Sequence, residues 1–359
     1  MNIIVIGAGL SGLTAARVLR DAGADVLLIE AGAQIGGRIR ALYEQKTNEY
    51  LADLGPTWIW PKYQPVVAKW AKTLGIETFE QFNDGDAVIL GYGPAPLRQP
   101  LPGQNGMVRI VGGPTALIDA LSNEMDATNI RTSTPVSGIY EDGSKRVSVY
   151  LRSGEILTAE NVIVSTPLRV AALRLEMPWA PQALLDAMRR TPTWMSTHAK
   201  AVALYDQPFW RDAGLAGRIA SRTGPLVEAH DHTGPDGTTA AIFGFIGWSP
   251  DVRQRDQDEL KRAILKQLTE CFGPEAANPM DLVVQDWATN PNIVTNLDLS
   301  ALANHPGVGP AILRQAHLGG RVRFAVSETS EISPGLIEGA LAAGERAAKD
   351  VLAHISHEF

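Results

Sequence analysis

Residues 3–12 read Ile-Ile-Val-Ile-Gly-Ala-Gly-Leu-Ser-Gly, an apolar run that leads directly into a glycine-rich loop. The β-branched residues of this run predict a short strand that is buried on both faces. Residues 13–20 then have apolar positions at helical spacing, and Gly23 is a typical helix stop. A second apolar strand is predicted over residues 25–29, and Glu30 follows it at once. This order of strand, glycine loop, helix, strand and carboxylate predicts an α/β fold.

The glycine loop and the carboxylate behind it predict a dinucleotide site. Gly7 permits the tight turn, Gly9 lets the backbone approach a pyrophosphate, and Gly12 lets the helix pack closely on the strand. The free amides at the helix start, where Ser11 lies, then face the phosphate charge. Glu30 follows at the distance where a carboxylate can bond ribose hydroxyls, and its charge would repel a 2′-phosphate. The alternative is a glycine turn that only packs a helix on a sheet.

The composition of the 359 residues excludes several classes of protein. Hydrophobic residues make up 45% and charged residues 20%, which is ordinary for a globular chain of about two domains. The 39 acidic and 32 basic residues give a net charge of −7, which argues against a nucleic-acid binder. A single cysteine, Cys271, cannot form an intrachain disulfide. Without a basic signal-peptide start or an apolar run of about 18 residues, we expect a cytoplasmic protein with no membrane partner.

Residues 36–38, Gly-Gly-Arg, lie directly behind the second predicted strand. Arg38 can reach back to a pyrophosphate as a charge-assisted donor, or it can be an ordinary surface arginine. Together with the glycine loop and Glu30, this order resembles the N-terminal region of the flavin-containing amine oxidase family. The resemblance implies that the dinucleotide is FAD and that Gly37 and Arg38 contact it.

The resemblance continues along almost the whole chain. Residues 51–59, Leu-Ala-Asp-Leu-Gly-Pro-Thr-Trp-Ile, resemble the segment that passes beside the flavin ring in the family. This implies cofactor contacts for Gly55, Pro56 and Thr57. Val136 resembles a residue that meets the adenine through its backbone. Trp287 resembles a tryptophan that packs on the far edge of the flavin, and core packing is its alternative role.

Two further segments carry residues that the resemblance assigns to the active site. Lys200 precedes Pro208-Phe209-Trp210 by eight positions, the spacing of a family lysine that holds a water against flavin N5. Lys200 is therefore the predicted catalytic residue, and a lysine at the end of an exposed strand is the alternative. Residues 324–348 resemble the last strand, loop and helix of the family, with Glu328 and Ile337 at the cofactor. The amides at the start of that helix can stabilise the negative charge of reduced flavin.

The chain departs from the family pattern at the substrate site. Leu297 and Leu336 stand where amine oxidases usually have two aromatic side chains, so we expect an apolar substrate pocket there. Asn296 stands near the position of the cysteine that covalent members carry, so the FAD is expected to be noncovalent. Residues 76–106 are short compared with the helical subdomain that roofs the substrate channel in typical relatives. A shorter roof implies a more open site, or one that a partner closes.

Several other patterns are interpreted as structural. Asp142-Gly143, between two stretches of alternating residues, predicts the turn of a β-hairpin. Glu228, His230 and His232 alternate along one predicted strand, and we interpret them as surface polar residues rather than as metal ligands. Apolar residues at multiples of four over residues 252–268 predict one amphipathic helix that packs on the core. Four aromatic residues could form a different substrate wall, although core packing is our interpretation for most of them; they are Trp58, Trp60, Phe245 and Trp248.

We therefore expect an α/β protein with a Rossmann-like FAD-binding domain, built from residues 1–60, 107–171 and 313–359. A second, α+β domain over residues 61–106 and 172–312 would bind a small-molecule substrate. The resemblance implies an amine or amino-acid oxidase or dehydrogenase, in which hydride passes from a C–N carbon to flavin N5 and an imine forms. The alternatives are a flavin-dependent desaturase or C–C dehydrogenase of an apolar substrate, and a non-catalytic lipid carrier of the same fold. The electron acceptor, oxygen or another, and the oligomeric state stay open.

Overall fold

The computed structural model describes residues 2–103, 105–237, 239–300 and 304–356. Residue 1 and residues 357–359, which the predicted FAD-binding domain includes, lie outside the described residues. The strands in these ranges are β1 (Asn2–Ile6), β2 (Asp25–Ile29), β3 (Ala41–Tyr43), β4 (Tyr50–Asp53), β5 (Trp58–Ile59), β6 (Thr78–Glu80), β7 (Asp86–Leu90), β8 (Leu97–Gln99), β9 (Val108–Ile110), β10 (Ile130–Arg131), β11 (Val136–Glu141), β12 (Val147–Leu151), β13 (Ile156–Ala159), β14 (Asn161–Val164), β15 (Ala199–Tyr205), β16 (Leu215–Ser221), β17 (Leu226–Asp231), β18 (Ala240–Ile246), β19 (Asp281–Asp286) and β20 (Val322–Phe324). The α-helices are α1 (Leu10–Asp21), α2 (Pro65–Thr73), α3 (Thr115–Ser122), α4 (Leu168–Arg174), α5 (Gln182–Arg190), α6 (Phe209–Asp212), α7 (Pro250–Arg255), α8 (Gln257–Phe272), α9 (Asn296–Leu299) and α10 (Ile337–Ser356).

A five-stranded parallel sheet forms the first half of the molecule, in the order β10-β2-β1-β14-β20. Its central strands are buried on both faces, as their β-branched sequences predict. Helices α1 and α10 pack together on one face, around Leu13, Leu19, Leu341 and Val351. The predicted strand, glycine loop, helix and strand are confirmed as β1, α1 and β2. The mixed α/β fold with a parallel sheet is also confirmed.

A three-stranded antiparallel sheet, β11-β12-β13, packs on the other face of the parallel sheet. The hairpin between β11 and β12 turns at Asp142-Gly143. The Asp142 carboxylate accepts hydrogen bonds from the backbone N–H groups of Ser144 and Arg146. Gly143 has a φ of 76°, the left-handed conformation that glycine adopts at little cost. The hairpin predicted from Asp142-Gly143 is therefore confirmed.

A seven-stranded sheet in the order β19-β15-β18-β17-β16-β7-β8 forms the second half. Its outer face packs on α8 through Leu260, Ile264 and Leu268. The single helix predicted over residues 252–268 is wrong, because the chain breaks into α7 and α8 at Asp256. Asp256 is extended there, and its carboxylate accepts from the N–H of Glu259 and so caps α8. Val252 lies on the first piece and is 40% exposed, so it does not share the packed face.

The strands of the parallel sheet all come from residues 1–60, 107–171 and 313–359, and those of the seven-stranded sheet from 61–106 and 172–312. Two helices of the second set nevertheless pack on the first half. Helix α5 contributes to the core under the parallel sheet. Helix α2 packs on α10, where the buried Glu338 carboxylate accepts from the N–H groups of Val66 and Val67. Glu338 therefore supplies the negative charge that the first turn of α2 lacks. Within the described residues, no helix has the length and apolar character needed to cross a membrane.

Candidate active site

A cavity of about 850 Å³ extends from the carboxyl ends of β1 and β2 to the inner face of the seven-stranded sheet. Most of the site residues that were predicted from the sequence line this cavity. The predicted residues among its lining are Gly7, Gly9, Ser11, Glu30, Gly37, Arg38, Gly55, Pro56, Thr57, Val136, Lys200, Trp287, Leu336 and Ile337. Gly12, Glu328 and Leu297 are not part of the lining.

The glycine loop forms a cradle at one end of the cavity. Gly7 has a φ of 104°, and a Cβ there would lie 2.7 Å from the carbonyl oxygen of Ser165. A Cβ on Gly12 would lie 2.0 Å from the carbonyl oxygen of Gly7, so this glycine packs α1 on the loop and stays behind the wall. A Cβ on Gly9 would meet only the Gly37 Cα, at 3.9 Å, so it would project into the open cavity. These placements fit a pyrophosphate at Gly9.

Glu30 is fixed beside this cradle by two backbone donors. Its Oε2 accepts a hydrogen bond of 2.8 Å from the N–H of Ala8, and its Oε1 accepts one of 2.7 Å from the N–H of Gly32. A carboxylate has about four lone-pair sites, so acceptor capacity remains for ribose hydroxyls in the cavity. Glu30 therefore fits the ribose of a dinucleotide.

Arg38 forms a two-point ion pair with Glu328. The Nη1 to Oε1 distance is 2.7 Å and the Nη2 to Oε2 distance is 3.0 Å. Arg38 also donates to the carbonyl oxygen of Trp194, and Glu328 accepts from the N–H of the same residue. Glu328 is 2% exposed and reaches the cavity only through Arg38. Arg38 is thus a fixed cation in the cavity wall, near the glycine cradle, where it fits a pyrophosphate.

Trp287 and the start of α10 are two further features of the cavity wall that fit FAD. The indole N–H of Trp287 donates to the carbonyl oxygen of Leu54 at 3.2 Å, which holds the buried ring in the cavity wall. Leu336 and Ile337 lie at the start of α10, whose N-terminal end favours negative charge. A glycine cradle, a carboxylate acceptor, a fixed arginine and a helix start are the groups that a flavin dinucleotide requires.

Lys200 lies deep in the cavity wall on the seven-stranded sheet. It is 2% exposed, so the interpretation as a lysine of an exposed strand end is excluded. Its Nζ donates to Thr57 Oγ1 at 2.6 Å and to the carbonyl oxygen of Gly55 at 3.0 Å. Burial is the main cause that lowers the pKa of Lys200 to about 7. The Asp53 carboxylate raises this pKa, and the Arg109 guanidinium lowers it further. At neutral pH the amine can therefore hold or release a proton.

The two leucines predicted to face the flavin are separated. Leu336 lines the cavity, but Leu297 is 47% exposed and lies outside the lining, so its prediction as a pocket residue is wrong. Asp298 is the cause, because its carboxylate accepts from the N–H and the hydroxyl of Thr295 and binds Arg169. These hydrogen bonds hold residues 296–299 as helix α9, on which the Leu297 side chain is exposed. Ile293 lines the cavity in this part of the chain.

Several aromatic rings line the cavity. Trp58, Trp60 and Phe245 are in the wall, whereas Trp248 packs in the core of the seven-stranded sheet. Trp194 and His198 also line the cavity and were missed by the sequence analysis. Both precede β15 in an irregular segment, where no periodicity marks the direction of a side chain.

The interpretation of His230 and His232 as surface residues is wrong, because they are 3% and 0% exposed. The His230 ring packs between Trp58 and Phe243, and its Nε2 lies 2.7 Å from Glu228 Oε1. Burial lowers the pKa of His230, although its hydrogen bond to Glu228 raises it. Glu228 joins Glu30 as a carboxylate in the cavity lining. In the part of the chain that the structure describes, no group of three or more His, Cys, Asp or Glu side chains could hold a metal ion.

Arg174 is a further lining residue that the sequence did not indicate. Its Nη1 donates to Asn292 Oδ1 at 3.3 Å, and both residues lie in the cavity wall. An arginine in the last turn of a helix is too common a pattern to have signalled this position.

Known proteins are similar to this chain along nearly its whole length. The family model of flavin-containing amine oxidoreductases matches residues 10–93 and 95–352. A probable flavin-containing monoamine oxidase A of Dictyostelium discoideum is 21% identical, covering 98% of this chain and 97% of the relative. The flavin-containing amine oxidase B of Canis lupus familiaris is 23% identical, covering 98% of this chain and 86% of the relative.

Solved structures show the same fold. A wild-type putrescine oxidase bound to putrescine has a TM-score of 0.82 at 18% identity, covering 98% of this chain and 99% of its own. Cyclohexylamine oxidase from Brevibacterium oxydans has a TM-score of 0.82 at 21% identity, covering 99% of both chains. Because the family model matches nearly the whole chain, this protein belongs to the flavin-containing amine oxidoreductases, a family of FAD-dependent enzymes.

Proposed function

We propose that the protein is an amine oxidase or dehydrogenase that binds FAD noncovalently and uses Lys200 at the reacting end of its cavity. One observation carries the proposal. A single cavity joins the glycine cradle, Glu30 and Arg38 at one end to the buried Lys200 and the aromatic rings at the other. A substrate at the second end would therefore lie against the same cofactor that the first end binds.

The position of the cysteine supports noncovalent binding. Cys271 is the only cysteine of the chain, and it is buried on α8 in the core behind the seven-stranded sheet. Asn296, near the position of the family's cysteine, is exposed and lies outside the cavity lining. No cysteine thiol of this chain therefore faces the cavity.

The chain's own residues have separate tasks around the cofactor. FAD, when bound, supplies the two-electron oxidation of the amine. Lys200 holds a proton at Nζ beside Thr57, and its pKa near 7 lets it exchange that proton at neutral pH. The N-terminal end of α10 favours negative charge near Leu336 and Ile337. The tryptophan and phenylalanine rings keep water from the reacting end.

The lining also favours a particular class of amine. The rings of Trp58, Trp60 and Phe245 suit an apolar body or an alkylammonium group, which rings attract through their faces. Glu228 adds a carboxylate at this end, with its side chain 47% exposed. Its hydrogen bond with His230 lowers the pKa of Glu228, which keeps it charged. We infer an amine whose second, cationic group is held by Glu228.

The visible absorption spectrum of the purified protein tests the proposal first. We expect flavin bands that bleach anaerobically on addition of amines, and stay unchanged with apolar hydrocarbons whose saturated CH–CH bonds a desaturase would oxidise. Acid precipitation should then release all yellow colour into the supernatant. Bleaching by such hydrocarbons alone would contradict amine oxidation, and colour in the pellet would contradict noncovalent binding.

A further inference from the structure

Glu228 lies in the same row of the seven-stranded sheet as Lys200. Both residues pair with Phe245 of β18, Lys200 from β15 on one side and Glu228 from β17 on the other. Cross-strand neighbours point to the same face of a sheet, and all three residues line the cavity. The two outer residues are two strand spacings apart, or about 10 Å. An amine that extends from Lys200 to Glu228 therefore passes over Phe245.

A β-bulge at Val227 turns Glu228 toward the cavity. Three residues, Leu226 to Glu228, stand opposite two residues of β18, Phe245 and Ile246. Leu226 packs in the core beside α8, so regular alternation would place Glu228 on that same outer face. The extra residue shifts the alternation by one position, and Glu228 lines the cavity instead. The backbone therefore sets the direction in which Glu228 points.

His230 makes the hydrogen bond that fixes the Glu228 carboxylate. Its Nε2 lies 2.7 Å from Glu228 Oε1, and the two residues are two positions apart on β17. Burial is the main cause that lowers the pKa of His230, so its ring carries one proton at pH 7. An ionised carboxylate can only accept a hydrogen bond, so this proton lies on Nε2.

The other oxygen of Glu228 is left for a ligand. Among the residues that the structure describes, no hydrogen bond uses Glu228 Oε2, and no lysine or arginine forms an ion pair with this carboxylate. The Glu228 side chain is 47% exposed, in contrast to 4% for the side chain of His230. The buried histidine thus holds Oε1, while Oε2 and its charge stay accessible.

Aromatic packing holds the His230 ring in place. The ring lies edge-on to Trp58, with centroids 4.7 Å apart, and stacks on Phe243 with centroids 5.6 Å apart and an interplanar angle of 22°. Trp58 is itself anchored, because its indole N–H donates to Gln81 Oε1 at 2.8 Å. A buried ring that is packed on two sides keeps one orientation. His230 is therefore a rigid donor to Glu228.

We propose that His230 is a positioning residue that holds one oxygen of Glu228 and directs the other to the second cationic group of an amine. This inference rests on the proposed function, in which Glu228 binds that group. A carboxylate that is already fixed loses less rotational freedom when the ammonium binds. Without the donor, the Glu228 side chain would sample several rotamers and would bind the ammonium more weakly.

Isothermal titration calorimetry with the flavin reduced tests the proposal without turnover. The purified protein, as isolated with its cofactor, is reduced anaerobically with dithionite, so that an amine can bind but cannot be oxidised. The probes are 1,4-diaminobutane, 1,5-diaminopentane and 1,6-diaminohexane, each paired with the monoamine of the same length. We expect the unmodified protein to bind at least one diamine about tenfold or more tightly than its monoamine. In His230→Phe this preference should fall to about threefold or less.

His230→Phe keeps a ring between Trp58 and Phe243 and removes only the donor. His230→Gln keeps a donor near the place of Nε2, and should recover the preference to within about threefold of the unmodified protein. His317→Phe is the matched control, since the His317 ring also packs on two aromatic rings and lies near a carbonyl oxygen, but outside the cavity lining. It should leave the preference unchanged. If His230→Phe does not fold, His230→Leu takes its place.

A double variant separates positioning from packing. In the Glu228→Gln background, His230→Phe should leave the affinities for both amines within about twofold, because the carboxylate through which it acts is absent. A loss of affinity for diamine and monoamine alike in that background would show a packing role and overturn the proposal. An unchanged preference in His230→Phe, or equal binding of every pair by the unmodified protein, would overturn it as well. The expected binding without any bleaching of oxidised flavin by amines would contradict only the proposed oxidation.

Discussion

The ammonium nitrogen of Lys200 lies 4.0 Å from the ring centroid of Phe243, which belongs to the neighbouring strand of the seven-stranded sheet. The ring offers its negative face to the cation. Thr57 and Gly55 accept hydrogen bonds from the amine. Together with the Phe243 ring, they surround this almost completely buried group on three sides. Such a position is costly for a lysine, which points to a role in the cavity rather than in folding.

Lys200→Met should slow flavin reduction or flavin reoxidation, because it removes the proton-bearing group on the substrate side of the cavity. We expect a loss of about a hundredfold in one half-reaction. The affinity for FAD should stay within about threefold, since Lys200 does not belong to the glycine cradle. Stopped-flow spectroscopy of each half-reaction makes the measurement, with the exposed Lys266→Met as control. Wild-type rates in both half-reactions would exclude a catalytic role.

Acid should destabilise the folded protein through His232. Burial lowers the pKa of His232 well below its usual value of 6.5, so the folded state keeps the ring neutral while the unfolded chain takes up a proton. This part of the stability is present above about pH 6.5 and is lost as the pH falls. The backbone N–H of Asp53 donates to His232 Nε2 at 3.0 Å, and His232→Gln keeps a side-chain acceptor for this N–H without a titrating group. As the pH is lowered, the free energy of unfolding of this variant should fall less steeply than that of the unmodified protein. The difference in slope should be up to about 1.4 kcal/mol per pH unit.

Urea unfolding of both proteins between about pH 7 and pH 5 measures this difference in slope. Parallel stability curves would show that His232 can be protonated within the folded protein.

Glu30→Gln should weaken FAD binding. A glutamine has one acceptor oxygen, which the N–H groups of Ala8 and Gly32 would compete for, so it leaves less acceptor capacity for the ribose hydroxyls. The lost charge-assisted bonds predict a cost of about 1.5–3 kcal/mol, or about ten- to a hundredfold in dissociation constant. Fluorescence titration of the stripped protein with FAD measures it, with the exposed Glu160→Gln as control. Equal affinities for FAD in the two variants would show that Glu30 does not contribute to cofactor binding.

Leu336→Tyr should alter substrate preference by adding an aromatic wall at the start of α10. We expect faster turnover of simple monoamines and slower turnover of the preferred substrate, which the larger ring would crowd. Leu297→Tyr is the matched control, because Leu297 is exposed outside the cavity. It should leave the substrate profile unchanged. Rapid oxidation of short alkyl amines by the unmodified protein would contradict the interpretation of Leu336.

Glu228→Gln should discriminate between amines by their second charge. The glutamine oxygen can still accept from His230, so the local packing is kept. We expect the KM for a straight-chain diamine to rise by about tenfold or more, as a hydrogen bond to a charged acceptor is worth about 1.5–3 kcal/mol. The KM for a monoamine of equal length should be unaffected. Steady-state kinetics with both amines is the test, and equal changes would count against Glu228 as the cation site.

The sequence alone predicted the parallel sheet and the glycine cradle. The residues that form them are neighbours along the chain, and each acts through a local property. Gly7 adopts a positive φ, α1 starts directly after Gly9, and Glu30 follows β2. Local patterns also predicted the hairpin at Asp142-Gly143. Features of this kind need few contacts from distant residues, so a single sequence shows them.

Only the tertiary structure decided the burial, charge and direction of the side chains around Lys200 and near α9. Lys200 could be read from its sequence as an exposed strand residue, and its partners Gly55 and Thr57 lie 145 and 143 positions away. The burial of His230 also depends on packing against Trp58, which lies far away along the chain, and Phe243 on the paired strand β18 packs on both histidines. Leu297 turned outward because Asp298 binds Arg169, 129 positions away. Charge, burial and side-chain direction are set by such long-range contacts, which periodicity along the chain does not contain.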